Sequence, residues 1–246
     1  MARKTPPERL ARLVECATRV FIEQGYRRTQ MADIAEALGV AKGTLYLYVE
    51  SKDALFDLVA RCADGEHPLP ELSALPLATP APGKTIAYVR DVLAANREIP
   101  ALRAALRRTR VRDPRAELEA ITAELYDVLA RHRRGIKLID RSAVDHPELG
   151  ALWFEGARGG LRDALAAYLE ARIERGLLRP VADVAITARM ILETVVFWAV
   201  HRHWDAHPQA VDESLARTAV IQFVVNALAS PTHGRARSRR KNRVTQ

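Results

Sequence analysis

Four side chains able to give hydrogen bonds, Lys42, Thr44, Tyr46 and Tyr48, fall within the eight residues AKGTLYLY at 41–48. On a helix they occupy two turns, with Leu45 the clear core position. Short polar side chains suit base edges in a major groove, and lysines and phenolic hydroxyls suit phosphates, so the chemistry on offer is duplex DNA recognition. An ordinary surface helix would favour Glu/Lys pairs over two tyrosines and an early glycine. Catalytic and metal chemistry find less support. The run His201 to His207 holds three histidines, but His201 and His203 would lie about 200° apart on a helix, and Pro208 interrupts just beyond. A bundle enzyme would be marked by paired Glu-x-x-His motifs, which are missing from the sequence. Cys16 falls on the apolar side of the first helix, and with Cys62 it makes neither a disulfide framework nor a metal spacing. Gly156, Gly159 and Gly160 lie inside a helical pattern and read as close-packing positions. We therefore expect no catalytic residue, no cofactor and no metal.

The elements that must position these side chains are helices. Apolar residues at Leu10, Leu13, Val14, Ala17, Val20 and Phe21 mark one helical face that Gly25 ends. A second helix fits Gln30 to Leu38, with Thr29 able to cap it and Gly39 closing it in the left-handed conformation. A third runs from about Ala41 to Val49, and Ser51 can cap a fourth from Lys52 to about Cys62, with Asp53 favourably placed in its first turn. The second and third form a helix-turn-helix: Ile34, Leu38, Val40 and Leu45 are buried, Ala35 is small where the helices cross, and Gly39 makes the turn. Five prolines between Pro68 and Pro82 then forbid a helix and mark a flexible connection. Helical patterns resume at about 84–97, 100–110, 114–133, 147–176, 182–206 and 210–229, without the period-two alternation a sheet needs. The organisation expected is all α: a helix-turn-helix domain with its connecting fourth helix at 1–62, a Pro-rich linker at 63–83, a helical ligand-binding and dimerisation domain at 84–230, and a basic tail at 231–246.

The charge follows these divisions. Of the 246 residues, 48% are hydrophobic and 28% charged, an ordinary globular composition. The net charge of +8 is uneven: +2 over residues 1–62, zero over 63–233 and +6 over 234–246. A tail reading GRARSRRKNR has no apolar face and should be solvated and disordered, so the high pI does not itself establish DNA binding. The start, MARKTPPERLARL, has charges where a signal peptide needs apolar residues, and the most apolar stretch, 190–200, is about half a membrane span. A cytoplasmic protein is expected.

The stretch from Phe21 to Tyr26, then Thr29, Asp33 to Val40, Lys42 to Tyr46, Tyr48 and Ser51 to Leu55 resembles the tetracycline-repressor (TetR) family of bacterial transcription regulators. The resemblance covers about 50 residues and is specific in order and spacing, whereas the rest of the chain resembles the family only in being helical. It implies a homodimer, each protomer with one helix-turn-helix and one ligand pocket, acting as a repressor released from a palindromic operator by a small molecule. Lys42, Gly43 and Thr44 match positions that approach bases, and Thr29, Gln30, Tyr46, Tyr48 and Lys52 match positions that hold phosphates. Two departures matter: Ala41 stands where serine often caps the reading helix, and Ala32 stands where a longer polar residue, often arginine, is common.

In the large domain the last helix has apolar residues almost all round, apart from a strip of Thr218, Gln222 and Asn226. Such a helix is buried on nearly every side, either as a central core helix or between its own core and a partner. With residues 184–200 it can build a four-helix dimer interface, for which Val195, Val220, Phe223, Val224 and Leu228 are the candidates. Tyr88, Tyr126, Trp153, Phe154, Tyr168, Trp198 and His201 can line a pocket for an apolar or aromatic effector, and each can equally be core. A helical-bundle enzyme and a ligand-independent architectural DNA-binding protein stay open as alternatives. A helical large domain without net charge argues against the last of these, and deletion of the tail tests it. Deleting residues 234–246 should leave one discrete DNase footprint, whereas an architectural protein clamped by its tail would lose binding.

Overall fold

Local signals account for the first helices of the computed structural model, which describes residues 7–65, 67–96 and 99–230. The basic tail at 231–246 lies outside the described residues. Helix α1 (Pro7–Gln24) ends at Gly25, whose φ of 84° is a left-handed value that glycine adopts without strain. Helix α2 (Met31–Leu38) ends at Gly39, again left-handed, where the Val40 N–H closes on the Ala35 carbonyl at 2.9 Å. Ser51 caps α4 (Lys52–Cys62) by accepting the Ala54 N–H at 3.1 Å. Thr29 does not cap α2: Gln30 is the cap residue, and its backbone N–H donates to Asp33 at 2.8 Å. Ile34, Ala35 and Leu45 are buried with the inner face of α1, as the helix-turn-helix requires.

The reading helix is shorter than the expected 41–49, with α3 confined to Lys42–Leu45. Its last turn tightens, the N–H of Leu47 reaching Thr44 and that of Tyr48 reaching Leu45. The Tyr48 carbonyl is then taken by the Leu77 N–H at 2.8 Å, while the Glu50 N–H donates to the Leu77 carbonyl at 3.0 Å. The proline-rich segment is therefore not a free linker. It folds back as a strap, and Thr79 fastens it further by giving its N–H to the Glu50 carboxylate and its hydroxyl to Ser51. Proline forbids a helix there, but isolated bridging bonds need only an extended chain.

The remainder is helical: α5 (Lys84–Ala95), α6 (Pro100–Arg107), α7 (Pro114–Arg131), α8 (Arg133–Ala143), α9 (Pro147–Gly150), α10 (Gly159–Ile173), α11 (Val184–Ala199) and α12 (Glu213–Leu228). Residues Ala151–Arg158, between α9 and α10, are π-helical, and Leu72–Ala74 and His201–Trp204 are short 3-10 turns. Helix α8 has no counterpart among the helical patterns of the sequence, where Gly135 falls in the gap between 114–133 and 147–176. Its first turn is capped from 70 residues away: the Asp64 carboxylate accepts the N–H groups of Arg134 and Gly135, both at 3.0 Å. A Cβ at Gly135 would stand 2.4 Å from that carboxylate, so close approach, not chain breaking, calls for this glycine.

Two apolar cores result, one within α1 to α4 and a larger one among α5 to α12, and Leu138 of α8 is buried in the smaller one. Inside the larger core, Arg172 of α10 and Glu117 of α7 form a pair at 2.8 Å, with side chains 2% and 4% exposed. Arg172 also donates to the Ala105 carbonyl, which ties α6 to the same knot. Removing one partner strands the other charge, so Glu117→Ala should cost about 3–5 kcal/mol in urea unfolding. Arg217→Ala, which breaks an exposed pair with Asp127, should cost less than about 1 kcal/mol. Equal losses from the two would contradict this account.

Candidate nucleic-acid interface and ligand cavity

Lys42 and Gly43 are exposed on the first turn of α3, with Thr44 half-buried beside them. Ala41 gives no side-chain cap, as its methyl dictates. Tyr46 is 42% exposed and Gln30 is exposed at the start of α2, so both are open to solvent. Three other expected phosphate contacts are placed differently. Thr29 is buried and gives its hydroxyl to the Gly25 carbonyl at 2.8 Å. Tyr48 is buried in the core of the reading unit. Lys52 turns inward, donating to the Tyr26 and Thr29 carbonyls, both at 3.1 Å, with its ammonium 4.6 Å from the centre of the Tyr26 ring. Lys52 thereby holds the turn between α1 and α2 to α4, and Thr29 closes that turn on itself. Leu47, 61% exposed, was given no role in the sequence analysis, which weighed only the side chains able to give hydrogen bonds. Its spacing of four from Gly43 already placed it on the open face, where an apolar side chain suits a thymine methyl. Arg9 and Arg12 of α1 were also missed; both are exposed, and they line a cleft with Thr44.

The large domain encloses a cavity with an empty volume of about 1060 Å³ including its mouth. Its wall is mostly aliphatic and includes Tyr88, Trp153 and His201. Tyr126, Phe154, Tyr168 and Trp198 are not part of it. Tyr126 is buried and gives its hydroxyl to Glu213 at 2.9 Å; burial first and then Glu213 push its pKa up to about 12. Tyr168 is buried under the Arg172 guanidinium, Trp198 packs against the core, and Phe154 is 39% exposed outside the cavity. Among the lining residues, Trp153 donates its indole N–H to Asp140 at 3.0 Å, and Arg158 is paired with Glu193 at 2.6 Å. His201 sits with Nδ1 3.3 Å from the Lys137 ammonium. Burial, and next the Lys137 charge, hold its pKa below the ordinary histidine value. The ring is neutral at pH 7, with Nδ1 placed to accept and Nε2 to donate. The π-helical turn supplies Trp153, Ala157 and Arg158 to the wall, matching the tendency of such turns to mark functional positions.

The end of α4 forms part of the same wall. Asp64 lines the cavity while capping α8, and the Arg61 guanidinium lies 4.1 Å from the centre of the Tyr88 ring. Neither role was visible in the sequence, since both depend on partners far along the chain.

The proposed interface residues also require correction. Val195, Val220, Val224 and Leu228 are buried in the protomer's own core, and only Phe223 faces outward, at 62% exposure. The open apolar stripe consists instead of Ile186, Met190 and Phe197 on α11 with Leu215 and Phe223 on α12. Helix α12 is apolar on two sides, as its sequence requires; the error lay in which side faces which neighbour.

Residues 13–59 match the family described as bacterial regulatory proteins, tetR family. Over 225 residues, 91% of this chain and 92% of the relative, the chain is 23% identical to the HTH-type transcriptional repressor KstR2 of Rhodococcus jostii (strain RHA1). It is 30% identical over 96 residues to the HTH-type transcriptional regulator AcrR of Shigella flexneri, 38% of this chain and 43% of that protein. The ketosteroid transcriptional regulator KstR2 of Mycobacterium tuberculosis shares the fold, with a TM-score of 0.53 at 20% identity, over 94% of this chain and 100% of that one. Among the described residues no helix is long and apolar enough to cross a membrane.

The placements divide the two lysines by role. Lys42→Ala should weaken binding to the preferred duplex by about 1–3 kcal/mol and relax preference at one base pair per half-site. Lys52→Ala should lower the stability of the free protein by about 1–3 kcal/mol, because two carbonyls lose their donor. Binding competitions for the first, and urea melts for the second, check the division; an unchanged melt for Lys52→Ala would contradict it.

Proposed function

We propose that this chain, which belongs to the TetR family of bacterial regulatory proteins, represses transcription from a palindromic operator and is released by an apolar or aromatic small molecule held between Tyr88 and Trp153. The chain is a DNA-binding transcriptional regulator and not an enzyme. In this reading Lys42, Gly43 and Thr44 read bases, Gln30 and Tyr46 hold phosphates, and the protein works in the cytoplasm. Residues 1–62 form the DNA-binding unit and 84–230 the effector and dimerisation unit, with the strap at 63–83 packed on the former. A homodimer forms through the stripe of Ile186, Met190, Phe197, Leu215 and Phe223, which buries apolar side chains otherwise left in water.

This reading rests above all on the short path from cavity to reading head. A ligand shifts an equilibrium only as far as it prefers one state. Here a molecule filling the cavity touches Tyr88, which Arg61 of α4 covers, and Asp64, which joins α4 to α8. Asp64, Asp140 and Arg158 are each engaged by protein groups, which favours an uncharged ligand with an acceptor oxygen for His201. A ketosteroid has that character, and androst-4-ene-3,17-dione belongs in the first ligand panel.

Selection of duplexes from a random pool should return a site of twofold symmetry, with half-sites about 34–36 Å apart, bound by a dimer. An uncharged apolar compound should release that duplex. Ala157→Leu, which narrows the cavity, should blunt the release while leaving DNA affinity within about tenfold, or 1.4 kcal/mol. Phe154→Ala, outside the cavity, should respond as the native protein does. A monomer on an asymmetric site, or equal blunting by both substitutions, would overturn the reading.

A further inference from the structure

A second cavity, with an empty volume of about 700 Å³ including its mouth, lies under the strap between the two units. Tyr26, Asp53 and Phe56 line it from the DNA-binding side, and Ile86, Ser142 and His146 from the large domain. It is separate from the cavity assigned to the effector, with which it shares no lining residue.

Two of its polar groups are unexplained by the fold. Ser142, 1% exposed on α8, has a hydroxyl without a partner, and Nδ1 of His146 is buried and likewise unpaired. Two buried threonines in these helices bond to the carbonyl four residues back, Thr18 to Val14 at 2.6 Å and Thr122 to Leu118 at 2.8 Å, while the buried Tyr168 hydroxyl, which lines neither cavity, is likewise unpaired. Ser142 makes no such bond, so its hydroxyl is left for something in the cavity. Buried polar atoms in native proteins are nearly always satisfied, and two orphans in one wall point to a shared occupant.

The lining fixes the chemistry of that occupant. Asp53 brings a carboxylate, which accepts only, and the Tyr26 hydroxyl already donates to it. Burial first, and then Asp53, raise the Tyr26 pKa, so the phenol stays neutral. The hydroxyl of Ser142 and the ring nitrogen of His146 can accept as well. No lysine or arginine is among the lining residues, and Lys52, above the Tyr26 ring, is committed to two carbonyls. Phe56, Ile86 and Leu149 give the same space an apolar side. Three acceptors, one negative charge and an aromatic wall suit a donor-rich cation with a small apolar group. Among the described residues no three metal-ligating side chains converge, which sets a metal ion aside.

We propose that this inter-unit cavity is a second ligand site that takes a small primary organic ammonium ion, its nitrogen donating to Asp53, Ser142 and His146. An occupant touches both units at once, so it also biases their relative placement, and DNA reciprocally biases its affinity.

Calorimetry on the full chain with 2-phenylethylammonium chloride, and with 2-phenylethanol as its uncharged counterpart, tests this directly. The ammonium ion should bind at one site per protomer and the alcohol at least tenfold more weakly. Asp53→Asn should weaken the ammonium at least tenfold. Ser142→Ala should weaken it severalfold without lowering the melting temperature of the free protein, because no hydrogen bond is lost there. Ala157→Leu, in the other cavity, should leave it unchanged. No heat with the ammonium ion, equal binding of the alcohol, undiminished binding by Asp53→Asn and Ser142→Ala, or loss of binding in Ala157→Leu would each overturn the proposal; the last would place the ion in the effector cavity.

Discussion

One carboxylate holds the two halves of this molecule in register. Asp64, just beyond the last turn of α4, accepts the N–H groups that open α8, where the helix dipole and the unsatisfied donors both favour a negative charge. His132, at the junction of α7 and α8, stands 3.9 Å from the same carboxylate. The large domain therefore has part of its framework completed by a residue of the DNA-binding unit. Asp64 also lines the cavity proposed for the effector, so the group that joins the halves stands in its wall. Distance along the chain hides this arrangement, whereas distance in space is a single hydrogen bond.

The legible parts of the sequence were those fixed by neighbours within four residues. Gly25 and Gly39 stop helices because their backbones turn left-handed, and Ser51 caps α4 three residues on, so these were readable from spacing alone. The missed helix α8 failed for the opposite reason: its cap comes from Asp64, and its Gly135 answers to that carboxylate. Reading-head residues divide the same way. Lys42 and Gly43 are exposed on a helix that proves shorter than its pattern implied, but Lys52 is drawn inward by carbonyls more than twenty residues earlier in the chain. Of the aromatic residues, hydrophobicity identified which were buried or half-buried better than what they were buried against. Trp153 faces a cavity, and Tyr126 and Tyr168 face ion pairs.

Periodicity on α12 carried more than its first interpretation used. A helix with apolar residues on two opposite sides must satisfy two surfaces, and here the inward set Val220, Val224 and Leu228 satisfies one. Leu215 and Phe223 remain outward, as Ile186, Met190 and Phe197 of α11 do. Hydrophobicity counts the two sets together; only the phase of the helix against its own core separates them.

The proline-rich strap changes how motion can pass through the chain. Thr79 is anchored to Glu50 and Ser51, and Thr85, on the first turn of α5, is anchored to Asp57 of α4 at 2.9 Å. Between Thr79 and the start of α5 only residues 80–83 are left, two of them proline, and such a span reaches about 14 Å at full stretch. Part of that length is folded up, since the Lys84 N–H closes a turn on the Ala81 carbonyl at 3.0 Å. The connection from the turn after α3 to α5 is thus short and fastened at both ends, where its composition suggested a loose one.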